Sequence, residues 1–131
     1  MGDGGLGLRY SDEHLWFRQE DGRVTIGVTE RIARILTIVA AVELPASGTR
    51  LGSEDDLAVI ESQKATILVA APIPLQIVAV NDDVIDDPML VRTEPYTRGW
   101  LVQAEIEEDG WDRLLDATAY AAVTTDIREK R

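Results

Sequence analysis

From residue 57 to residue 71 the chain reads Leu57-Ala58-Val59-Ile60-Glu61-Ser62-Gln63-Lys64-Ala65-Thr66-Ile67-Leu68-Val69-Ala70-Ala71. Two apolar, β-rich runs, Leu57 to Ser62 and Ala65 to Ala71, are parted only by Gln63 and Lys64. A connection that short joins two strands as a hairpin. It lacks Asn-Gly or Asp-Gly, so its turn type stays open. Lys64 is therefore expected at an exposed tip projecting from a rigid scaffold.

Thirteen residues are Lys or Arg, and of these only Lys64 and Lys130 are lysines. A surface that needs only charge can use arginine, as this chain does elsewhere. Amide formation with a carboxylic acid needs a primary amine, whereas a guanidinium stays protonated and is a poor nucleophile. An internal lysine at a hairpin tip is thus a candidate acylation site.

Upstream of the hairpin, Arg9 to Phe17, with Tyr10, His14 and Trp16, alternates in part and predicts one short strand. Asp21-Gly22 marks a turn, and Val24, Ile26 and Val28 alternate as a strand. Thr29 is placed to cap a short helix in which Ile32, Ile35 and Leu36 share an apolar face. Ile38 to Val42 reads as a buried strand stopped at Leu44-Pro45, with a turn at Ser47-Gly48. Downstream, Pro72 and Pro74 end the second hairpin strand and Leu75 to Val80 predicts another. Asn81 to Asp87 is acidic and begins a helical turn. Trp100 to Ile106 alternates as a strand, and Trp111 to Val123 is helical. Many short strands with a few short peripheral helices, one of them a C-terminal helical segment, make a mainly β protein, a β-sandwich or flattened barrel.

The 131 residues suffice for one domain. Residues 1–7 are glycine-rich and read as a flexible tail, not a signal peptide, 8–123 as the domain, and 124–131 as a charged tail. No apolar run is long enough to span a bilayer as a helix. There is no cysteine, which excludes disulfides and thiolate metal sites. The formal charge of −11 argues against nucleic acid and anionic membranes as partners and suits docking on basic patches of other proteins. Asp82-Asp83 and Asp86-Asp87 lack the spacing of a cation-binding loop and read as a solvated face. His14, the one histidine, reads as structural. No nucleophile–base pair is visible, so no catalytic residue and no metal ligand is assigned.

Glu61-Ser62-Gln63-Lys64-Ala65 resembles the lipoylation motif of the glycine cleavage H-protein family. The context is similar in order and spacing: Tyr10, His14 and Trp16; Val24 to Thr29; Val42-Glu43-Leu44-Pro45 with Gly48; Ala79-Val80-Asn81; Pro88, Leu90, Val91, Pro95, Tyr96 and Gly99-Trp100-Leu101; Leu114-Leu115 and Tyr120. The resemblance spans about residues 8 to 123. It implies a lipoyl/biotinyl-carrier-like fold and a non-catalytic cytoplasmic carrier, expected as a monomer. Lipoate would be covalently attached at Lys64, with Glu61 read by the lipoate ligase or lipoyl transferase that attaches it. The arm would shuttle an aminomethyl group between glycine decarboxylase, a pyridoxal-phosphate enzyme, and a tetrahydrofolate-dependent aminomethyltransferase. Dihydrolipoyl dehydrogenase would reoxidise it.

Some residues depart from the family pattern. Leu15 and Leu68 stand where acids are usual, and with Ile35 they are expected to line a groove for the arm. A groove without those acids would shelter an ammonium cargo poorly. This favours a divergent carrier, for sulfur oxidation or a lipoyl relay, or a non-lipoylated interaction protein of the same fold, as the alternative. Glu54 and Leu75 replace family glycines, and Thr37-Ile38 a Gly-Asp, which predicts altered turns.

Overall fold

Antiparallel pairing between chain neighbours builds most of the molecule. The computed structural model describes residues 7–130. In chain order the strands are β1 (Leu8–Tyr10), β2 (Leu15–Glu20), β3 (Arg23–Val28), β4 (Val39–Glu43), β5 (Arg50–Leu51), β6 (Asp56–Ser62), β7 (Thr66–Ala70), β8 (Leu75–Val80), β9 (Val102–Ile106) and β10 (Glu129–Lys130). The helices are α1 (Glu30–Ala33), α2 (Asp82–Asp86), α3 (Leu90–Thr93) and α4 (Ala117–Ala121), with a 3₁₀ turn at Trp111–Arg113. Among the described residues one sheet has the order β1-β2-β3-β9-β8-β5 and the other β10-β7-β6-β4. This is the expected two-sheet, mainly β architecture.

The main core lies between the sheets. Leu15 and Phe17 of β2, Ile26 and Val28 of β3, Leu57 and Ile60 of β6, Ile67 and Val69 of β7, and Ile77 of β8 all belong to it. In β7 the period of two is visible, with Ile67 and Val69 buried and Leu68 between them half-buried. Burial of each such side chain contributes roughly 1.5–3 kcal/mol.

A second, aromatic cluster covers the other face of β1 and β2. Leu8, Tyr10, Trp16 and Tyr120 form it, with Tyr96, Trp100, Leu115 and Val123 packed against them. β2 is thus buried on both faces here, which is why Leu15, Trp16 and Phe17 are all inaccessible. Trp16 pairs with Gly27 across the strands, and a Cβ at Gly27 would lie 2.6 Å from the indole. Only glycine lets the ring lie flat on β3.

Several expectations need correction. Arg9 to Phe17 is two strands, β1 and β2, because the chain turns at Ser11–His14 and His14 takes a left-handed φ of 73°. The Thr29 cap holds, its hydroxyl accepting from the Arg31 amide. The helix, however, ends at Ala33, so Ile35 turns outward and is 47% exposed. Ile38, expected to be buried, is 59% exposed, and β4 is an edge strand packed on one face. A short apolar run does not distinguish one-faced from two-faced burial. Helix α3 and the short strand β5 had no expectation attached.

The replaced glycines behave differently from one another. Glu54 keeps a left-handed turn with φ 76°. Leu75 is an ordinary, buried strand residue paired with Leu51 and Ile106. Thr37 is not in the left-handed region. Of these positions only Glu54 carries backbone strain that a glycine would not.

Residues 124–130 do not stand apart from the domain. They run back across the molecule, and β10 pairs antiparallel with β7, Glu129 opposite Ile67 and Lys130 opposite Thr66. Of the glycine-rich segment 1–7, residues 1–6 lie outside the described residues.

Candidate functional site: the Lys64 hairpin tip

β6 and β7 are joined through Gln63, Lys64 and Ala65, with Gln63 and Lys64 at the tip. Glu61 pairs with Thr66, and the Ser62 amide donates to the Ala65 carbonyl at 2.8 Å. The Ser62 hydroxyl donates to the same carbonyl at 3.0 Å, tightening the last rung. Gln63 and Lys64 are exposed. Neither takes a positive φ, so this turn is not the left-handed pair usual in two-residue hairpins. It is propped from outside instead: the Gln63 amide donates to the Ile38 carbonyl at 2.8 Å. The loop bearing Ile38 is itself tied down, since Arg92 Nε donates to the Leu36 carbonyl at 2.8 Å. The Lys64 side chain makes no hydrogen bond or ion pair among the described residues. An exposed primary amine on a braced tip can be reached by another enzyme and acylated.

Glu61 lies on the outer face of its sheet, because Ile60 beside it points into the core. It is half-buried, flanked by Ala41 of β4 and Thr66 of β7, and its carboxylate has no partner among the described residues. The acid is free to be read together with the lysine.

Of the three residues expected to line the arm groove, Leu15 is corrected by the structure. Leu15 is 0% exposed and sits in the main core, so it has no surface to offer. The left-handed His14 just before β2 sets the phase of the strand and turns Leu15 inward. Leu68 faces outward from β7, and Ile35 lies beyond α1. With Leu15 inside, the argument from that residue for a divergent carrier is lost.

His14 is a structural hub. Its Nε2 lies 2.7 Å from the Thr125 carbonyl, which can only accept, so Nε2 carries the proton. Nδ1 then accepts from the Tyr120 hydroxyl at 2.9 Å, and that hydroxyl accepts from Thr29 at 2.7 Å. Arg31 lies over the Tyr120 ring at 4.4 Å and donates to the Val123 carbonyl at 2.7 Å. Burial pushes the Tyr120 and Tyr10 hydroxyls above their ordinary range. It does the same to Tyr96, whose hydroxyl donates to Glu30 at 2.9 Å.

Beyond this hub the C-terminal segment reaches the hairpin. The Leu68 amide donates to the Arg128 carbonyl at 3.0 Å, and Ile127 packs against the main core. Arg128 Nε sits 3.5 Å from Glu13 Oε1, and its Nη2 3.8 Å from Asp56. Sequence reasoning missed this segment. Its one cue was β-branched Thr125 and Ile127 alternating within a charged stretch.

The glycine cleavage H-protein family model matches residues 8–127. The chain belongs to the glycine cleavage H-protein family. It is 46% identical over 121 residues to the glycine cleavage system H protein of Salmonella paratyphi C (strain RKS4594), covering 91% of this chain and 94% of that protein. Against the H protein of Enterobacter sp. (strain 638) the identity is 46% over 118 residues, covering 88% and 92% respectively. The crystal structure of the H protein from Mycobacterium marinum superposes with a TM-score of 0.76 at 31% identity, over 88% of this chain and 94% of that one. Members of the H-protein family carry lipoate covalently on a lysine.

Proposed function

We propose that Lys64 is the lysine on which this chain carries its lipoate, and that Glu61 helps the attaching enzyme to select it. The chain is a lipoyl carrier of the glycine cleavage system and a non-catalytic subunit. Its partners are glycine decarboxylase, the aminomethyltransferase and dihydrolipoyl dehydrogenase. The observation that carries the residue assignment is the exposed, externally braced two-residue tip, with Lys64 free of internal partners among the described residues. Lipoate, once amide-linked, supplies a dithiolane at the end of a long arm, and tethering raises its effective concentration at each docked partner. What the chain itself does is hold the amine out in solvent, fix the strands behind it and leave the Glu61 carboxylate unpaired. Among the described residues no helix is long and apolar enough to cross a membrane. We place the chain in the cytoplasm, with the enzymes it serves.

Co-expression with a lipoate ligase, followed by intact-mass measurement and peptide mapping, tests the assignment. A single lipoyl increment on wild type, lost in Lys64→Arg, is expected, with slower modification in Glu61→Gln and Glu61→Ala. Full modification of Lys64→Arg would refute the lysine. Equal rates in both Glu61 variants would refute only the recognition role.

A further inference from the structure

Strand β7 is held from two sides, and the second side is unusual. β6 pairs along its length, as hairpin geometry requires. On the other side, among the described residues, only the segment 124–130 is present, and it is anchored at separate points. Thr125 is held by His14, Ile127 by the core, and Arg128 by Glu13 through its side chain and by the Leu68 amide through its carbonyl. The ion pair matters because of where it sits. Glu13 Oε1 and Arg128 Nε are both buried atoms without a hydrogen-bond partner, and each is the other's charged neighbour at 3.5 Å. Removing Arg128 takes away the cation beside the buried Glu13 oxygen, and removing Glu13 leaves the buried Arg128 Nε without its neighbour, the guanidinium keeping only Asp56 at 3.8 Å. The register then carries the effect to the tip, since Lys130 lies opposite Thr66, two residues from Lys64.

We propose that Arg128 is a positioning residue for Lys64: paired with Glu13, it locks the 124–130 segment onto β7 and so holds the hairpin tip in the orientation that the lipoate-attaching enzyme recognises. The proposal rests on Lys64 being the attachment site. It requires no contact between Arg128 and the lysine. It makes the C-terminal segment part of the presentation machinery and Glu13 its fixed anchor.

Alternation along a strand makes this testable. The Leu68 amide points to the C-terminal segment, whereas those of Ile67 and Val69 point to β6. Hydrogen exchange and lipoylation kinetics are measured on the full chain with a lipoate ligase, lipoate and ATP, for wild type, Arg128→Gln, Arg128→Lys and Glu13→Gln. In Arg128→Gln and Glu13→Gln the Leu68 amide should exchange about tenfold faster, the equivalent of one weakened charged contact, while Ile67 and Val69 hold. The KM for the chain as ligase substrate should rise about threefold or more at unchanged kcat, because only correctly presented tips are bound. Arg128→Lys, which keeps the cation, should restore both, with peptide mapping confirming Lys64 as the modified residue. Should Arg128→Gln not fold, Glu13→Gln gives the same readings. Unchanged Leu68 exchange, unchanged KM, or a fall in kcat alone would each overturn the proposal. Failure of the attachment assignment is told apart by the lipoyl increment persisting in Lys64→Arg, which these readings do not depend on.

Discussion

Among the described residues the β2–β3 and β6–β7 hairpins are fastened in opposite ways. Between β2 and β3, Asp21 and Gly22 both take left-handed φ values, 49° and 78°, so the turn is closed by its own backbone and matches the twist of its strands. Behind it Trp16 lies flat on Gly27, donates from Nε1 to the Pro95 carbonyl at 3.0 Å and stacks on Tyr96. Between β6 and β7, Gln63 and Lys64 have no such geometry. Their turn is held by the Ile38 carbonyl, by the Ser62 hydroxyl and, further down β7, by the C-terminal segment. A turn that only reverses the chain can be made from local preferences. The Gln63–Lys64 turn, proposed to display an amine, lacks Asn-Gly, and its neighbours supply the order.

The contrast can be broken most severely at Trp16. Trp16→Ala should lower stability by about 3–5 kcal/mol, by loss of a fully buried ring and the cavity it leaves. Urea unfolding followed by circular dichroism measures this, and the folded fraction should still be lipoylated at Lys64. A cost near zero would mean that the aromatic brace does not hold the first hairpin.

The same aromatic region should be the alkali-sensitive one. Burial raises Tyr10, Tyr96 and Tyr120 above the ordinary value of 10.0, with the Glu30 carboxylate adding to each. The folded chain therefore keeps protons that the unfolded chain releases above that value. Their contribution to stability is constant below about pH 10 and is lost as the pH rises beyond it. Unfolding curves at stepped alkaline pH, read with tyrosinate absorbance, should show ionisation of these hydroxyls arriving together with unfolding.

A smaller effect sharpens the comparison at the turns themselves. Gly22→Ala places a Cβ at φ 78° and should cost about 1 kcal/mol. Gln63→Ala, exposed and without positive φ, should stay within about 0.5 kcal/mol. Equal costs would erase the distinction between a self-closed and a propped turn. Smallest of all is Glu54→Gly, just before β6. Relief of a left-handed residue, worth ~1–2 kcal/mol, is offset by the greater unfolded-state freedom of glycine, ~0.5–1 kcal/mol, so a gain of about 0.5 kcal/mol is expected. Thermal unfolding of the variant against wild type checks the sign.

Much of the frame was legible because it rests on neighbours in the chain. The Gln63–Lys64 tip follows from two β-rich runs and the gap between them. The Asp21-Gly22 turn follows from residues that tolerate positive φ, and the Thr29 cap from a hydroxyl before an amphipathic turn. The scarcity of lysine points to the proposed attachment amine by chemistry alone, with no geometry needed. The remainder depended on contacts far apart in sequence. Leu15 looked available to a groove until the left-handed His14 set the phase of β2 and the second, aromatic cluster closed its outer face. Ile35 looked part of a helical apolar face until α1 stopped at Ala33, and Ile38 looked buried until β4 became an edge. Residues 124–130 looked like a charged tail until Arg128 found Glu13, more than a hundred positions earlier. Local pattern specifies turns, caps and strand period because those energies arise within a few residues. Which face is covered, and by what, is settled by long-range packing, and so only the tertiary structure decided it.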